Sequence, residues 1–97
     1  MRIISTKCLQ AFWRKHPQAD QPLKSWFEEA RHAKWKSPND IRLLYRSDDF
    51  LKKNRVVFNI AGNKFRLVVQ IRYDYGIIYM RFIGTHAEYN RIDAETR

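Results

Sequence analysis

The hydrophobic period of this chain changes at Arg55, and that change limits the possible folds more than any other feature. Before Arg55 apolar residues recur at helical spacing; after it they alternate with a period of two. Three alternating runs follow, RVVFNI (55–60), KFRLVVQIRY (64–73) and GIIYMRFI (76–83). The connections AGN and DYG are short and carry glycine, so the runs are expected to form an antiparallel meander. Successive side chains of a strand point to opposite faces. Phe65, Leu67, Val69 and Ile71 therefore form one face of the middle strand, and Lys64, Arg66, Gln70 and Arg72 the other. On the last strand Ile78, Met80 and Phe82 are the apolar set, while Tyr79 and Arg81 alternate away from them.

The apolar face needs a cover, and the first half of the chain supplies it. RII opens as a short strand, and Ser5 or Thr6 caps a helix with Leu9, Phe12 and Trp13 on one face, ended by Pro17. ADQPLKSWFEEARHAKW repeats the pattern with Leu23, Trp26, Phe27 and Ala30, capped by Asp20 or a residue just before it. Ser37 and Pro38 start a third short helix that turns Ile41, Leu44 and Tyr45 inward. RSDDFLKKN reads as a polar, charged connection. The expected fold is α+β: an N-terminal short strand and helical hairpin packed on a C-terminal antiparallel sheet, with a short C-terminal helix. A chain of 97 residues hides roughly 60–70% of its unfolded surface, enough for one domain spanning residues 1–97.

Nineteen Lys and Arg against 10 Asp and Glu give a formal charge of +9 and a pI near 10.1. Such a field attracts polyanions, above all nucleic acid, and also suits an acidic protein partner. The single cysteine, Cys8, excludes an internal disulfide framework and a Cys-based zinc site. It is expected to be a buried spectator thiol. The N-terminal segment lacks the pattern of a secretory signal, and no window reaches the ~20 apolar residues of a membrane span. A soluble, cytoplasmic protein without membrane contact is expected.

If the strand registers align, Arg66, Arg81 and Tyr79, with Arg55 or Asn59, share the sheet face turned away from the helices. A face selected only for solubility mixes signs. The two long strands carry Arg and Lys and no acidic residue, which favours a surface that reads phosphates.

The last strand runs into RFIGTHAEYNRIDAE. Thr85 and Glu88 have the spacing of a capping box, which would start a short helix with His86 and Tyr89 on the same side. An imidazole and a phenol would then stand at one edge of the basic face. RNA can be cleaved without a metal when its 2′-hydroxyl attacks the adjacent phosphate. The protein must then supply a base, an acid and cations for the phosphorane. An imidazole titrates near neutrality and can serve as either. Metal-ligand clusters, a Gly-rich phosphate loop and a G-x-S-x-G elbow are all missing, so no metal or other cofactor is expected. His16 and His32 are read as structural.

These residues resemble the HigB toxins of type II toxin–antitoxin modules, in the RelE/ParE superfamily. The resemblance runs through RIIS, FWRKHPQA, PLKSWFEEA, WKSPNDI, RVVFNIAGNKFRLVVQIRYDYGIIYMRFIGTHAEY and RIDAE. It implies a toxin that enters the ribosomal A site and cuts messenger RNA without a metal. It also implies a HigA-like antitoxin with a helix-turn-helix domain, and operator DNA bound through the toxin–antitoxin complex. By this resemblance His86 is the candidate general base or acid, Arg66 and Arg81 stabilise the transition state, and Tyr89 stacks on a base or orients the substrate. Lys64 is by the same resemblance an RNA-backbone contact, and Arg55, Arg72 and Tyr79, read from the basic face itself, are further candidate RNA contacts. Members of the family often read THAEYD where this chain has Asn90: if that carboxylate orients the histidine or binds the antitoxin, Asn90 weakens the role, and if it only caps a turn, nothing changes. Two other readings fit the charge: a ParE-like toxin that poisons gyrase without catalysis, and a basic RNA- or ribosome-binding module.

Overall fold

The computed structural model describes residues 1–45, 49–62 and 64–92. Its elements are β1 (Arg2–Ile4), α1 (Lys7–Lys15), α2 (Pro17–His32), α3 (Pro38–Arg42), β2 (Asp49–Phe50), β3 (Arg55–Ile60), β4 (Phe65–Arg72), β5 (Ile77–Thr85) and α4 (His86–Tyr89). Asn63 of the AGN turn, residues 46–48 of the charged connection and the DAE of RIDAE lie outside the described residues.

The meander forms as the alternation requires, with β3 antiparallel to β4 and β4 antiparallel to β5. Both edges extend it. β1 pairs with β5 in parallel, making the sheet mixed, and β2 pairs with β3, giving the order β1-β5-β4-β3-β2. The two-residue strand β2 falls in the stretch expected to be only a polar connection. Two residues carry no periodicity, and β3 supplies the partner that makes them a strand.

The helices cover one face. Leu9, Leu23, Trp26, Ala30 and Ile41 are buried against Phe58, Phe65, Leu67, Val69, Ile71 and Ile78. Three helical expectations change. α2 starts at Pro17 rather than near Asp20, with His16 as its N-cap, because Pro17 ends α1 and pre-sets the first turn of α2. The His16 ring stacks on Phe12 at 4.3 Å and meets the edge of Phe65 at 5.7 Å, a packing role. Leu44 is 62% exposed, because α3 stops at Arg42 and its inward stripe stops with it. Cys8 is exposed, not buried; local desolvation nevertheless pushes its thiol pKa up, so the sulfur stays protonated near neutrality.

One irregularity decides what the other face presents. Val69 faces Met80 while Val68 faces Phe82, so Arg81 is an extra residue on β5, a β-bulge. Phe82 therefore leaves the core side expected for it and turns to the opposite face, where it joins Val57, Val68, Leu51 and Tyr89 in a small second cluster. Ile83 returns to the main core.

Gly84 follows, directly opposite Arg66. A Cβ there would lie 2.6 Å from Phe82 Cζ and 3.2 Å from Glu88 Cβ, so only glycine lets the ring and α4 lie over the strand together. Gly84→Ala is expected to lower stability by about 1–3 kcal/mol through overpacking, read by thermal unfolding. An unchanged Tm would mean that Phe82 swings aside freely.

Candidate active site on the sheet face

The capping box is formed. Thr85 Oγ1 accepts from the Glu88 N–H at 3.2 Å, and Glu88 Oε1 accepts from the Thr85 N–H at 2.9 Å. These bonds to Thr85 hold the Glu88 carboxyl below the usual carboxylate range. The cap's contribution is therefore complete at neutral pH and is lost as pH falls through that lowered value. With its own start satisfied, α4 docks on β4 and β5. The His86 N–H donates to the Lys64 carbonyl at 3.2 Å, and Tyr89 closes over the Val57–Val68 pair.

Arg66 is the centre of what α4 brings together. Its Nη2 lies 3.3 Å from His86 Nε2, its Cζ stands 4.9 Å from the centre of the Tyr89 ring, and its Nη1 is 3.1 Å from Asp49 Oδ2. The guanidinium is thus held by an imidazole, an aromatic face and a carboxylate, with only 15% of its side chain exposed. A planar fork can make all three contacts at once; an ammonium cannot. On the other side of the ring, the Asn90 amide is 3.2 Å from His86 Nδ1. Lys64 stands beside this group, exposed, with Nζ 3.4 Å from Gln18 Oε1.

Arg81 belongs to a second group. Its Nη2 donates to Gln70 Oε1 at 2.7 Å and its Cζ stands 5.5 Å from the Tyr79 ring centre. Arg66 and Gln70 are separated by about 13 Å of strand, with Val68 and its apolar neighbours between them. Arg81 also lines an open groove of about 620 Å³ with Ser5, Thr6, Lys7, Cys8 and Met80. Arg72 lies farther along the same face, paired with Asp74 at 3.3 Å and set 4.8 Å from the Tyr75 ring. Arg55 is on this face opposite Gln70, but only 8% exposed, so it offers little to a ligand in this conformation. Among the described residues the sheet face carries two cationic groups, around Arg66 and around Arg81, and the histidine belongs to the first.

Asp49 was not foreseen, since nothing in RSDDFLKKN marks one of its acids as facing Arg66. The sequence leaves the contact of Asn90 with His86 open, although a spacing of four residues on one helix side could have found it. Among the described residues no group of three or more His, Cys, Asp and Glu could hold a metal ion, and no helix is long and apolar enough to cross a membrane.

Helices on one side of a mixed sheet, and a histidine–arginine–tyrosine cluster on the other, define a small basic α+β domain of RelE-like architecture. The chain matches the HigB toxin family, the RelE-like toxic component of a toxin–antitoxin system, over residues 19–92. It belongs to that family. It is similar to the mRNA interferase toxin HigB of Escherichia coli K12, 28% identical over 99 residues that span all of this chain and 95% of the relative. The mRNA interferase HigB of Shigella flexneri matches equally. That of Escherichia coli O6:H1 is 26% identical over 94 residues, covering 95% of this chain and 91% of the other.

Proposed function

We propose that this toxin is a ribosome-dependent messenger RNA endonuclease that needs no metal. The contact of Arg66 with both His86 and Tyr89 carries the reading. It sets a proton-transfer group, a cation and a stacking ring within one phosphate's reach. In the reaction the 2′-hydroxyl attacks the adjacent phosphate, the P–O5′ bond breaks, and a cyclic phosphate and a free 5′-hydroxyl result. His86 moves a proton, Arg66 neutralises the phosphorane, Tyr89 stacks on or orients the substrate, and Lys64 holds the RNA backbone.

Arg81 and Tyr79 act on a neighbouring nucleotide, because the length of strand between the two groups is too great for one phosphate. Arg72 extends the same path, and Arg55 supports the field from beneath. The toxin acts in the bacterial cytoplasm at the ribosomal A site. A HigA-like helix-turn-helix antitoxin neutralises it, and the complex binds operator DNA.

The test is primer extension on a reporter mRNA with purified protein, with and without translating ribosomes. Cuts are expected only with ribosomes, and His86→Ala should slow them about 10²–10⁴-fold. Uncut mRNA with folded wild type, accompanied by DNA damage on expression in cells, would transfer the reading to gyrase. Unslowed cutting by the variant would remove His86 from the chemistry. RNA binding at low salt decides nothing, since a chain of charge +9 binds RNA through counterion release in any case.

A further inference from the structure

Both polar neighbours of the His86 ring, Arg66 Nη2 and Asn90 Nδ2, are donors, whereas a neutral imidazole has one lone pair to offer. Arg66 has only N–H groups to offer, so its Nη2 at 3.3 Å requires a lone pair on Nε2. The imidazole is then neutral with its proton on Nδ1. Nδ1 lies 3.2 Å from Asn90 Nδ2, which is a donor, and only the amide oxygen can accept the Nδ1 proton. A half-turn of the amide exchanges its nitrogen and oxygen in place, so the bond forms without moving the backbone. The Asn90 side chain is free for this work, because the helix end is closed by its backbone N–H, which donates to the His86 carbonyl at 3.1 Å.

We propose that Asn90 is a positioning residue that fixes His86 as its Nδ1–H tautomer and so makes Nε2 the general base for the RNA 2′-hydroxyl. This rests on the ribonuclease reading above. Before substrate binds, Arg66 occupies the Nε2 lone pair. An incoming phosphate draws the guanidinium to its own oxygens and uncovers that lone pair. Nε2 then takes the 2′-hydroxyl proton as the O2′–P bond forms; the P–O5′ bond breaks with its electron pair going to O5′, which takes a proton from solvent. The resulting imidazolium keeps its Nδ1–H bond to the Asn90 oxygen and returns the other proton to water.

The charged groups around the ring limit what pH would report. Arg66 faces it from β4, Asp49 acts through Arg66 from β2, and Lys64, just before β4, accepts the His86 backbone N–H with its carbonyl and carries its Nζ to Gln18. Tyr89, Glu88 and Arg91 are on or just after α4, and His16 lies close enough to Glu88 to affect it. Because Glu88 titrates below the usual carboxylate range, an acid limb above that range does not report it.

Long-range proton–nitrogen NMR of the imidazole, assigned with His86→Gln and recorded well above neutral pH, tests the inference without ribosomes. The wild-type ring is expected to carry its proton on Nδ1, and Asn90→Ala to shift a large share of it to Nε2. In the ribosome assay Asn90→Ala should lower kcat about tenfold with KM little changed. Asn90→Asp, which can still accept from Nδ1–H, should restore the rate. A wild-type ring protonated on Nε2, or a tautomer that Asn90→Ala leaves unchanged, would overturn the proposal. The expected tautomer in a folded protein that cuts no mRNA would overturn the base role and the ribonuclease reading, while leaving Asn90 as the residue that orients the ring.

Discussion

Arg66→Ala is expected to slow mRNA cleavage about 10²–10³-fold, the scale seen when a donor aimed at transition-state charge is removed. Arg66→Lys should recover little of it. The three contacts of the guanidinium, to Asp49, His86 and Tyr89, need a planar group with several donors. Arg81→Ala should behave differently. Its cation sits with Gln70 and Tyr79, so the loss should appear mainly in RNA affinity, with a weaker dependence of binding on salt. Single-turnover cleavage at saturating programmed ribosomes, repeated at two salt concentrations, separates the two effects. If Arg81→Ala lowered the saturated rate more than Arg66→Ala, the chemistry would belong to the second group and the assignment of His86 would fall with it.

Asp49 gives a companion expectation of opposite sign. Its carboxylate holds Arg66 at 3.1 Å while itself 56% exposed, a position that a substrate phosphate would compete for. Asp49→Asn should therefore tighten RNA binding modestly, by a few-fold, since a half-exposed pair is worth little. Looser binding would mean that the carboxylate orients Arg66 rather than competing for it.

What could be read in advance, and what could not, follows from the range of each interaction. The meander and its faces were legible because alternation in β3, β4 and β5 is local and each turn is short. The capping box and the shared side of His86 and Tyr89 were legible because spacing within one helical turn fixes them. The bulge at Arg81 was not, because a register shift belongs to a pair of strands, and it sent Phe82 to the wrong face of the expected sheet. Tyr79 and Arg81 lie together beside Gln70, as alternation had placed them. β2 and the Asp49–Arg66 contact were invisible for the reason that two residues have no period. Pairing across long stretches of chain built the site, whereas local pattern built its parts.

The largest effect on stability is expected at Phe58, in the middle of β3, with no exposed surface. Its ring meets Trp26 at 5.2 Å, Tyr45 at 5.1 Å and Trp35 at 6.1 Å, so it joins α2, the segment after α2 and the segment after α3 to the sheet. Phe58→Ala removes all three contacts at once, and no neighbour on the rigid sheet can move in to fill the space. The cost should be about 3–5 kcal/mol. For a domain of this size each kcal/mol lowers Tm by roughly 4–8 °C, so the variant should melt at least ~12 °C lower or fail to fold at physiological temperature. Denaturant unfolding would give the free energy directly. A loss under about 1 kcal/mol would mean that the helical layer collapses onto the cavity, and that it is less firmly held to the sheet than the aromatic contacts imply. Because α4 and Arg66 sit on the other face, a Phe58 variant that still folds in the cold should keep its cutting chemistry there, which separates the support of the sheet from the work of the site.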